Sequence, residues 1–258
     1  MYRTGNKILT YQGKMFGIAP PFTPASIANL TAWYGDYVNG GTLRTTLNNG
    51  ANVNQWDDSS GNGFHLANKI SQPTYTSAGN SVNIGVGDAL WCSRPVLSGA
   101  SVCTIFMAYK YNDGTQHGYI MGFGIASGGG AFDIANLNAT NGTFNLTNES
   151  VSKGALTQTL NTGQKAVFSL NMPNANTNTA VLRKNASAKT LSGTDFTLNI
   201  TSSGKFIIGG YIDSGGNATV YSSTKDFNAY EFIIYNRSLT TAEVSQVETY
   251  LNAKYTIY

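Results

Sequence analysis

Residues 229–255 read AYEFIIYNRSLTTAEVSQVETYLNAKY, and this stretch determines the fold. Its first part is rich in the aromatic and β-branched residues that favour a strand. Thr240 then precedes Glu243 by three residues, which is the capping-box spacing at the start of a helix. An apolar stripe follows at helical spacing: Val244, Val247 and Leu251, flanked by Tyr250 and Lys254. The stretch predicts a strand, a turn and a helix that lies against a sheet.

The longest strand pattern in the chain is Val102–Tyr111. Both of its alternating faces are apolar, so we expect it to be central in a sheet. Shorter runs of the same kind recur between clusters of Gly, Asn and Ser: Tyr119–Phe123, Ala131–Ile134, Thr143–Leu146, Ala166–Asn171, Ala180–Arg183, Phe196–Ile200 and Lys205–Gly209. Many short strands separated by turn residues are typical of a sandwich. We therefore predict one all-β domain over residues 25–258.

Residues 1–24 differ from the rest of the chain. Positions 19–24 read Ala-Pro-Pro-Phe-Thr-Pro, and the three prolines impose an extended path. The segment also carries apolar side chains: Ile8, Leu9, Tyr11, Met15 and Phe16. One interpretation is an N-terminal arm for attachment or oligomerisation, because apolar side chains need a surface to cover them. The other interpretation is a disordered leader.

The chain carries few charges. Of its 258 residues, 11% are charged and 41% are hydrophobic, and 16 basic and 13 acidic residues give a net charge of +3. Nucleic-acid binding depends on a basic patch, and none is visible here, so we expect no nucleic-acid partner. No segment has the apolar length of a signal peptide or a membrane span, so we expect neither.

The two cysteines, Cys92 and Cys103, flank a turn-rich stretch. We expect two free, buried thiols, because no secretion signal accompanies them. The alternative is a disulfide between neighbouring strands.

Three stretches of the chain resemble one known family. They are Leu30–Tyr34 with Val53–Gly63 and Gln72–Tyr75, then Thr104–Tyr109, and finally Tyr230–Thr240 with Val247–Tyr255. Together they resemble the concanavalin A-like family of lectin and glucanase sandwiches, in particular its laminin-G-like branch in phage virion and bacterial surface proteins. The resemblance implies an antiparallel jelly-roll sandwich with one C-terminal α-helix. It indicates fold and not activity.

Several residues in these stretches have plain structural roles. Trp56 and Tyr235 are large aromatic residues that we expect in the core. Gly61 and Gly63 permit positive φ in the turn after Asp58, whose carboxylate can accept hydrogen bonds from turn amides.

The acidic residues and histidines show no catalytic pattern. A glycosidase needs two carboxylates close together around the bond that breaks, and the glutamates do not cluster in this way: Glu149, Glu231, Glu243 and Glu248. His65 and His117 lack the spacing of a zinc site, so we expect loop or surface histidines. We therefore expect no enzyme activity.

Calcium is the metal that the loops can hold. Side chains with oxygen ligands lie in Gly-rich loops at Asp57, Asp58 and Asn62, and again at Asp213 and Asn217. We favour the alternative, in which these side chains stabilise Asx turns and no cofactor binds.

A glycan is the ligand class that the resemblance suggests. Exposed aromatic rings give a sugar an apolar platform, and neighbouring carboxylates or amides bond to its hydroxyls. The candidates for such a site are Tyr34, Asp36, Tyr37, His117, Tyr119, Tyr211 and Asp213.

These features together favour a bacteriophage virion structural protein, such as a head fibre, decoration protein or tail appendage, that displays a lectin-like sandwich. Its expected partners are other virion proteins, bound through the arm, a host-surface glycan, and further copies of the chain in a homo-oligomer. The alternative is an adhesin or carbohydrate-binding module on the bacterial cell surface. A glycoside hydrolase is the third hypothesis.

Overall fold

The computed structural model describes residues 10–11, 14–15, 21–97, 99, 102–112, 118–124, 132–136, 144–148, 151–156, 163–191, 195, 197, 204–213, 215–220 and 226–258. The strands within these residues are β1 Thr10–Tyr11, β2 Lys14–Met15, β3 Leu30–Val38, β4 Thr42–Leu43, β5 Trp56–Asp58, β6 Asn68–Ile70, β7 Thr74–Thr76, β8 Ser81–Ile84, β9 Ala89–Cys92, β10 Cys103–Tyr111, β11 Gly118–Gly124, β12 Phe132–Asn136, β13 Phe144–Asn148, β14 Val151–Leu156, β15 Lys165–Met172, β16 Val181–Lys184, β17 Ser187–Lys189, β18 Lys205–Ile208, β19 Tyr211–Ile212, β20 Ala218–Thr219 and β21 Phe227–Tyr235. Short 3-10 helices lie at Pro24–Ser26, Arg44–Thr46, Ser77–Gly79 and Thr177–Thr179, and the helix α1 spans Thr241–Tyr255.

Two antiparallel sheets form a sandwich. In the part of the chain that the structure describes, the larger sheet has the order β17-β16-β15-β10-β21-β3-β4, with β5 paired to β3 and β8 paired to β21 and β7. The smaller sheet has the order β14-β13-β12-β11-β18-β9-β6. Many neighbours in these sheets are distant in sequence, as in other β-sandwiches. The predicted antiparallel sandwich with one C-terminal helix is confirmed.

Strand β10 is central, as its two apolar faces predict. It pairs with β15 on one edge and β21 on the other. One face enters the core between the sheets through Ile105 and Met107, and the opposite face, with Phe106 and Ala108, joins the cluster that packs against α1. A strand that is covered on both faces favours apolar residues on both, which explains the nearly continuous apolar run.

The predicted strands between residues 102 and 235 begin and end within two residues of the observed ones where the structure describes them. The exception is Phe196–Ile200, which lies outside the described residues apart from Thr197. Thr197 forms an isolated bridge with Asn176.

Helix α1 begins where the capping box predicts. The side chain of Thr240 accepts the N–H of Glu243 at 3.3 Å, and the carboxylate of Glu243 accepts the N–H of Thr240 at 2.9 Å. Val244, Val247 and Leu251 are buried against the outer face of the larger sheet. Burial contributes about 2 kcal/mol for each such side chain, so this stripe fixes the helix to the sheet.

The expected core residues are confirmed. Trp56 is fully buried between the sheets, and Tyr235 is fully buried under α1, where its hydroxyl donates to the carbonyl of Pro24 at 2.9 Å. Both cysteines are buried and free, as predicted. Burial raises the pKa of the Cys103 thiol to about 12, so this thiol stays protonated.

The N-terminal segment is described only in part. Strands β1 and β2 pair Thr10 with Met15 and Tyr11 with Lys14. The chain then meets the sandwich at Phe22, whose ring packs edge-on against Tyr250 at 5.9 Å. The remainder of the predicted arm lies outside the described residues. In the described residues, no helix combines the length and the apolar character that a membrane crossing requires.

Candidate functional site

A surface cavity of about 570 Å³ lies beside the turn between β3 and β4. Its lining residues come from the end of β3, from that turn, from β5 and the residue before it, and from the loop that follows β5: Tyr37, Gly40, Gly41, Gln55, Asp57, Asp58, Ser59 and His65. The volume falls in the range of small-molecule sites. We refer to it below as the Tyr37 cavity.

Local backbone features build the Tyr37 cavity. Residues 39–41 adopt φ values from 52° to 97°, a left-handed path that Asn and Gly tolerate. Strand β5 pairs with β3 so that Trp56 faces Val38. Trp56 also bridges to Leu66 at the far end of the next loop. This second pairing returns His65 to the side of β5.

Asp57 is a buried carboxylate in the Tyr37 cavity, with 5% of its surface exposed. Its Oδ2 accepts the backbone N–H of Gly41 at 2.7 Å, and its Oδ1 accepts the side-chain amide of Gln55. The Nδ1 atom of His65 lies 3.4 Å from Oδ1. An ionised carboxylate offers about four acceptor positions. Asp57 therefore retains capacity to accept a hydrogen bond from a ligand hydroxyl.

His65 places a ring nitrogen in the same cavity, and 46% of its side chain is exposed. The backbone N–H of Asp58 donates to Nδ1 of His65 at 3.2 Å. Because Nδ1 accepts this bond, we assign the proton of the neutral ring to Nε2. Nε2 is therefore the atom through which His65 can donate to a ligand.

Tyr37 supplies an apolar surface beside these polar groups. The residue is 47% exposed, although large aromatic residues usually bury most of their area. Such a site can bind a ligand that has both an apolar face and hydroxyl groups. The exposed ring packs against the apolar face, and the neighbouring acceptor and donor bind the hydroxyls. The prediction of Tyr37 as an exposed aromatic residue agrees with its position.

The residues predicted as a calcium site form a turn. Oδ1 of Asp58 accepts the N–H groups of Trp33 and Ser60, both at 2.9 Å, and Oδ2 accepts the hydroxyl of Ser60 at 2.8 Å and the N–H of Phe64 at 3.0 Å. Asn62 donates its amide to the carbonyl of Thr31 at 2.9 Å. Gly61 and Gly63 have the predicted positive φ, 89° and 71°. These contacts favour the Asx-turn interpretation.

The structure corrects the placement of Tyr34 and Asp36. Tyr34 is fully buried in the core between the sheets, and its hydroxyl donates to the carbonyl of Phe64 at 2.7 Å. It cannot offer its ring to a ligand, so its prediction as an exposed platform is wrong. Asp36 accepts from Lys254 at 2.8 Å and lies 3.7 Å from Arg44, and it does not line the Tyr37 cavity.

Tyr119 and Tyr211 form a second aromatic group. Their ring centroids are 4.8 Å apart, and both residues are partly exposed. Asp213 follows on the same hairpin and accepts the N–H of Asn217 at 2.8 Å and of Gly215 at 2.9 Å. The N–H of Asn217 is the main cause of a lowered pKa for this carboxyl. Asp213 therefore closes the turn between β19 and β20. His117 lies outside the described residues.

Sequence reasoning did not select Gln55 or His65 as ligand-binding residues. Gln55 is held there by backbone hydrogen bonds with Asn39, and His65 is brought to β5 by the bridge between Trp56 and Leu66. The sequence feature that could have identified His65 is the length of the Gly-rich turn. That length allows residues 57 and 65 to lie opposite each other once Trp56 bridges to Leu66.

Comparisons with solved structures identify the class of fold. Domain 4 of an extracellular arabinanase from Geobacillus stearothermophilus, solved with arabinotriose, is 15% identical with a TM-score of 0.60, and the match covers 85% of this chain and 98% of that domain. Trypanosoma rangeli sialidase, solved with a difluorinated sialic acid, is 14% identical with a TM-score of 0.58, over 88% of this chain. The binding domain of botulinum neurotoxin serotype D/C is 11% identical with a TM-score of 0.58, over 89% of this chain.

The chain spans 33% of the length of the sialidase and 53% of the length of the neurotoxin domain. No protein-family model matches the sequence, and no curated protein matches it either. These structural matches are below 25% identity, so they define a class by fold alone: an antiparallel β-sandwich.

Proposed function

We propose that the chain is a carbohydrate-binding sandwich of the concanavalin A-like, laminin-G-like type, displayed on a bacteriophage particle as a head fibre, decoration protein or tail appendage. In this proposal, the Tyr37 cavity binds a host-surface glycan. The N-terminal arm attaches the sandwich to the particle or to other copies of the chain.

One observation carries the binding part of the proposal. The half-exposed ring of Tyr37 lines the same cavity as the buried carboxylate of Asp57 and the imidazole of His65. A sugar presents apolar C–H groups on one face and hydroxyls around its rim, so it can use the ring, the acceptor and the donor together. One structural neighbour supports the same ligand class, because the arabinanase domain, 98% of which the match covers, was solved with arabinotriose.

The glutamates support recognition rather than catalysis. Glu231 is fully buried and accepts from Lys254 at 2.8 Å and from Tyr250 at 3.0 Å. Glu248 is 1% exposed and accepts from Ser169 at 2.7 Å and from Arg183 at 2.9 Å. Neither lines the Tyr37 cavity. Glu149 lies outside the described residues.

The attachment part of the proposal is supported by the surface where the N-terminal segment enters the sandwich. A groove of about 700 Å³ lies there between Pro21, Phe22 and the exposed face of α1. The helix residues that line it are Ala242, Ser245, Gln246, Thr249, Tyr250, Ala253 and Lys254, and the ammonium of Lys254 is already paired with Asp36 and Glu231. A face that is mostly small and uncharged, with its lining cation already paired, is suited to protein contact.

Deletion of residues 1–20 tests the attachment part, because it spares the contact of Phe22 with Tyr250. We expect the truncated chain to fold and bind glycan but not to enter phage particles. Incorporation at the normal level would contradict the attachment role. Recovery of the full chain on bacterial surfaces rather than on particles would favour the adhesin alternative.

A glycan panel tests the binding part with two matched variants. Tyr37→Ala removes the proposed platform, and Tyr258→Ala removes a tyrosine that is similarly exposed, 49% against 47%. We expect the full chain to bind one glycan class and Tyr37→Ala to bind it about tenfold more weakly, since ring contacts contribute about 1 kcal/mol or more. Tyr258→Ala should bind normally. Equal binding by all three proteins would contradict the assignment of the site.

A further inference from the structure

The Tyr37 cavity is lined by two carboxylates and by no lysine or arginine among the described residues. Asp57 is 5% exposed and Asp58 is 7% exposed. Buried charges are screened by water and salt much less than surface charges. The cavity therefore presents a negative potential to any ligand that enters it.

The cations of neighbouring segments are held elsewhere. The guanidinium of Arg94 lies 4.4 Å from the centre of the Phe64 ring and donates to the carbonyl of Gly63 at 3.1 Å. The ammonium of Lys69 donates to Asn54 at 2.6 Å. Neither residue lines the Tyr37 cavity, so neither neutralises the two carboxylates from within it.

An acidic sugar would meet an unfavourable environment in this cavity. Its carboxylate would lose water and approach two like charges without gaining an ionic partner. Proteins that bind carboxylates usually supply a guanidinium or ammonium group. By contrast, an uncharged sugar hydroxyl can donate to Asp57 in a charge-assisted hydrogen bond.

We infer that the Tyr37 cavity selects uncharged saccharides and excludes acidic ones, such as those that end in sialic acid or a uronic acid. The inference rests on the proposed function, and it specifies the charge class of the glycan. The two carboxylates thus disfavour acidic ligands in addition to their structural role in the turn.

Matched pairs of glycans test the inference. Each pair shares one oligosaccharide backbone and differs by an acidic unit, as lactose and 3′-sialyllactose do. We expect the full chain to bind the acidic member at least about tenfold more weakly, and most of this difference to persist as salt is raised, because the two carboxylates are buried. Stronger binding of the acidic members would overturn the inference.

A variant that gains a cation in the cavity also tests the inference, because it should improve the binding of acidic glycans. Ser59 lines the cavity and is partly exposed, so Ser59→Arg adds a cation there with little risk to folding. We expect this variant to improve acidic relative to neutral binding by about tenfold. Ser187→Arg adds the same charge at an exposed position in β17 and should leave the ratio unchanged. An equal effect of both variants would contradict selection within the cavity.

The outcomes separate the two proposals. The proposed function fails if no glycan of any pair binds, or if the Tyr37→Ala variant binds glycan with the same affinity as the full chain. If acidic members bind better and Tyr37→Ala weakens them, the proposed function stands and the inference about charge is wrong.

Discussion

The ammonium of Lys254 lies 2.8 Å from Oε2 of Glu231, a carboxylate with no exposed surface. Tyr255 donates to the same oxygen at 2.7 Å, and Tyr250 donates to Oε1 at 3.0 Å. Glu231 belongs to β21, and these three partners belong to α1, while a fourth donor, the indole N–H of Trp33, comes from β3. This contact therefore joins the closing helix to the central sheet through a charge that needs compensation.

Removal of that compensation should destabilise the protein strongly. In Lys254→Met the charge of Glu231 stays buried with only neutral donors, and we expect a loss of about 3 kcal/mol in the free energy of unfolding. Urea denaturation measures the change. Lys189→Met, at the sheet edge in β17, should stay within about 0.5 kcal/mol of the unmodified protein. Equal losses in the two variants would show that the buried pair has no special role.

Glu243 should contribute to stability in a pH-dependent way. The hydrogen bond from Arg237, and then the N–H of Thr240, lower the pKa of this carboxyl to about 2, whereas an unfolded chain titrates near about 4.3. Its contribution is therefore complete above about pH 4.3 and is lost as the pH falls toward about 2.

Glu243→Gln tests that dependence. We expect the variant to be about 1 kcal/mol less stable near neutral pH, and the difference to shrink to zero as the pH approaches about 2. Arg237→Met should retain part of the pH dependence, because the bond from Thr240 at 2.9 Å remains. A stability difference that does not change with pH would refute this assignment.

Tyr34 should support the binding site without touching the ligand. Its hydroxyl holds the carbonyl of Phe64 at 2.7 Å, in the loop that ends at His65. Tyr34→Phe should cost about 1 kcal/mol of stability and should also weaken glycan binding through the loosened loop. Tyr235→Phe loses a comparable bond to Pro24 at 2.9 Å, so it should lose stability and bind normally. Binding that is unchanged in Tyr34→Phe would contradict the link between core and loop.

Calcium should have no effect on the loop after β5. Both oxygens of Asp58 already accept two hydrogen bonds each, and an ion would have to replace them. We expect the melting temperature to be the same with excess calcium and with chelator. A calcium-dependent rise that disappears in Asp58→Asn would instead establish a metal site there.

The sequence predicted the elements whose physics is local or strongly patterned. The capping box at Thr240 fixed the start of α1, and the doubly apolar run at Val102–Tyr111 identified the central strand. The alternation of side chains along a strand could not predict which faces Tyr34 and Asp36 occupy, because the pairing of β3 with β5 shifts register between Tyr34 and Val38. Such an irregularity changes the face to which side chains point.

The candidate site was predicted only in part for a related reason. Tyr37 was selected as a glycan-binding residue and Asp57 and Asp58 as candidate calcium ligands, and all three line the cavity. His65 joins them through the bridge between Trp56 and Leu66. A two-residue contact of this kind leaves no periodic pattern in the sequence.

A crystal structure of the chain with the best-binding uncharged glycan tests the central claim most directly. We predict a sugar ring packed on Tyr37, with one hydroxyl within hydrogen-bonding distance of Asp57. A sugar bound instead on Tyr119 and Tyr211, or elsewhere on the sandwich, would contradict the assignment of the Tyr37 cavity as the binding site.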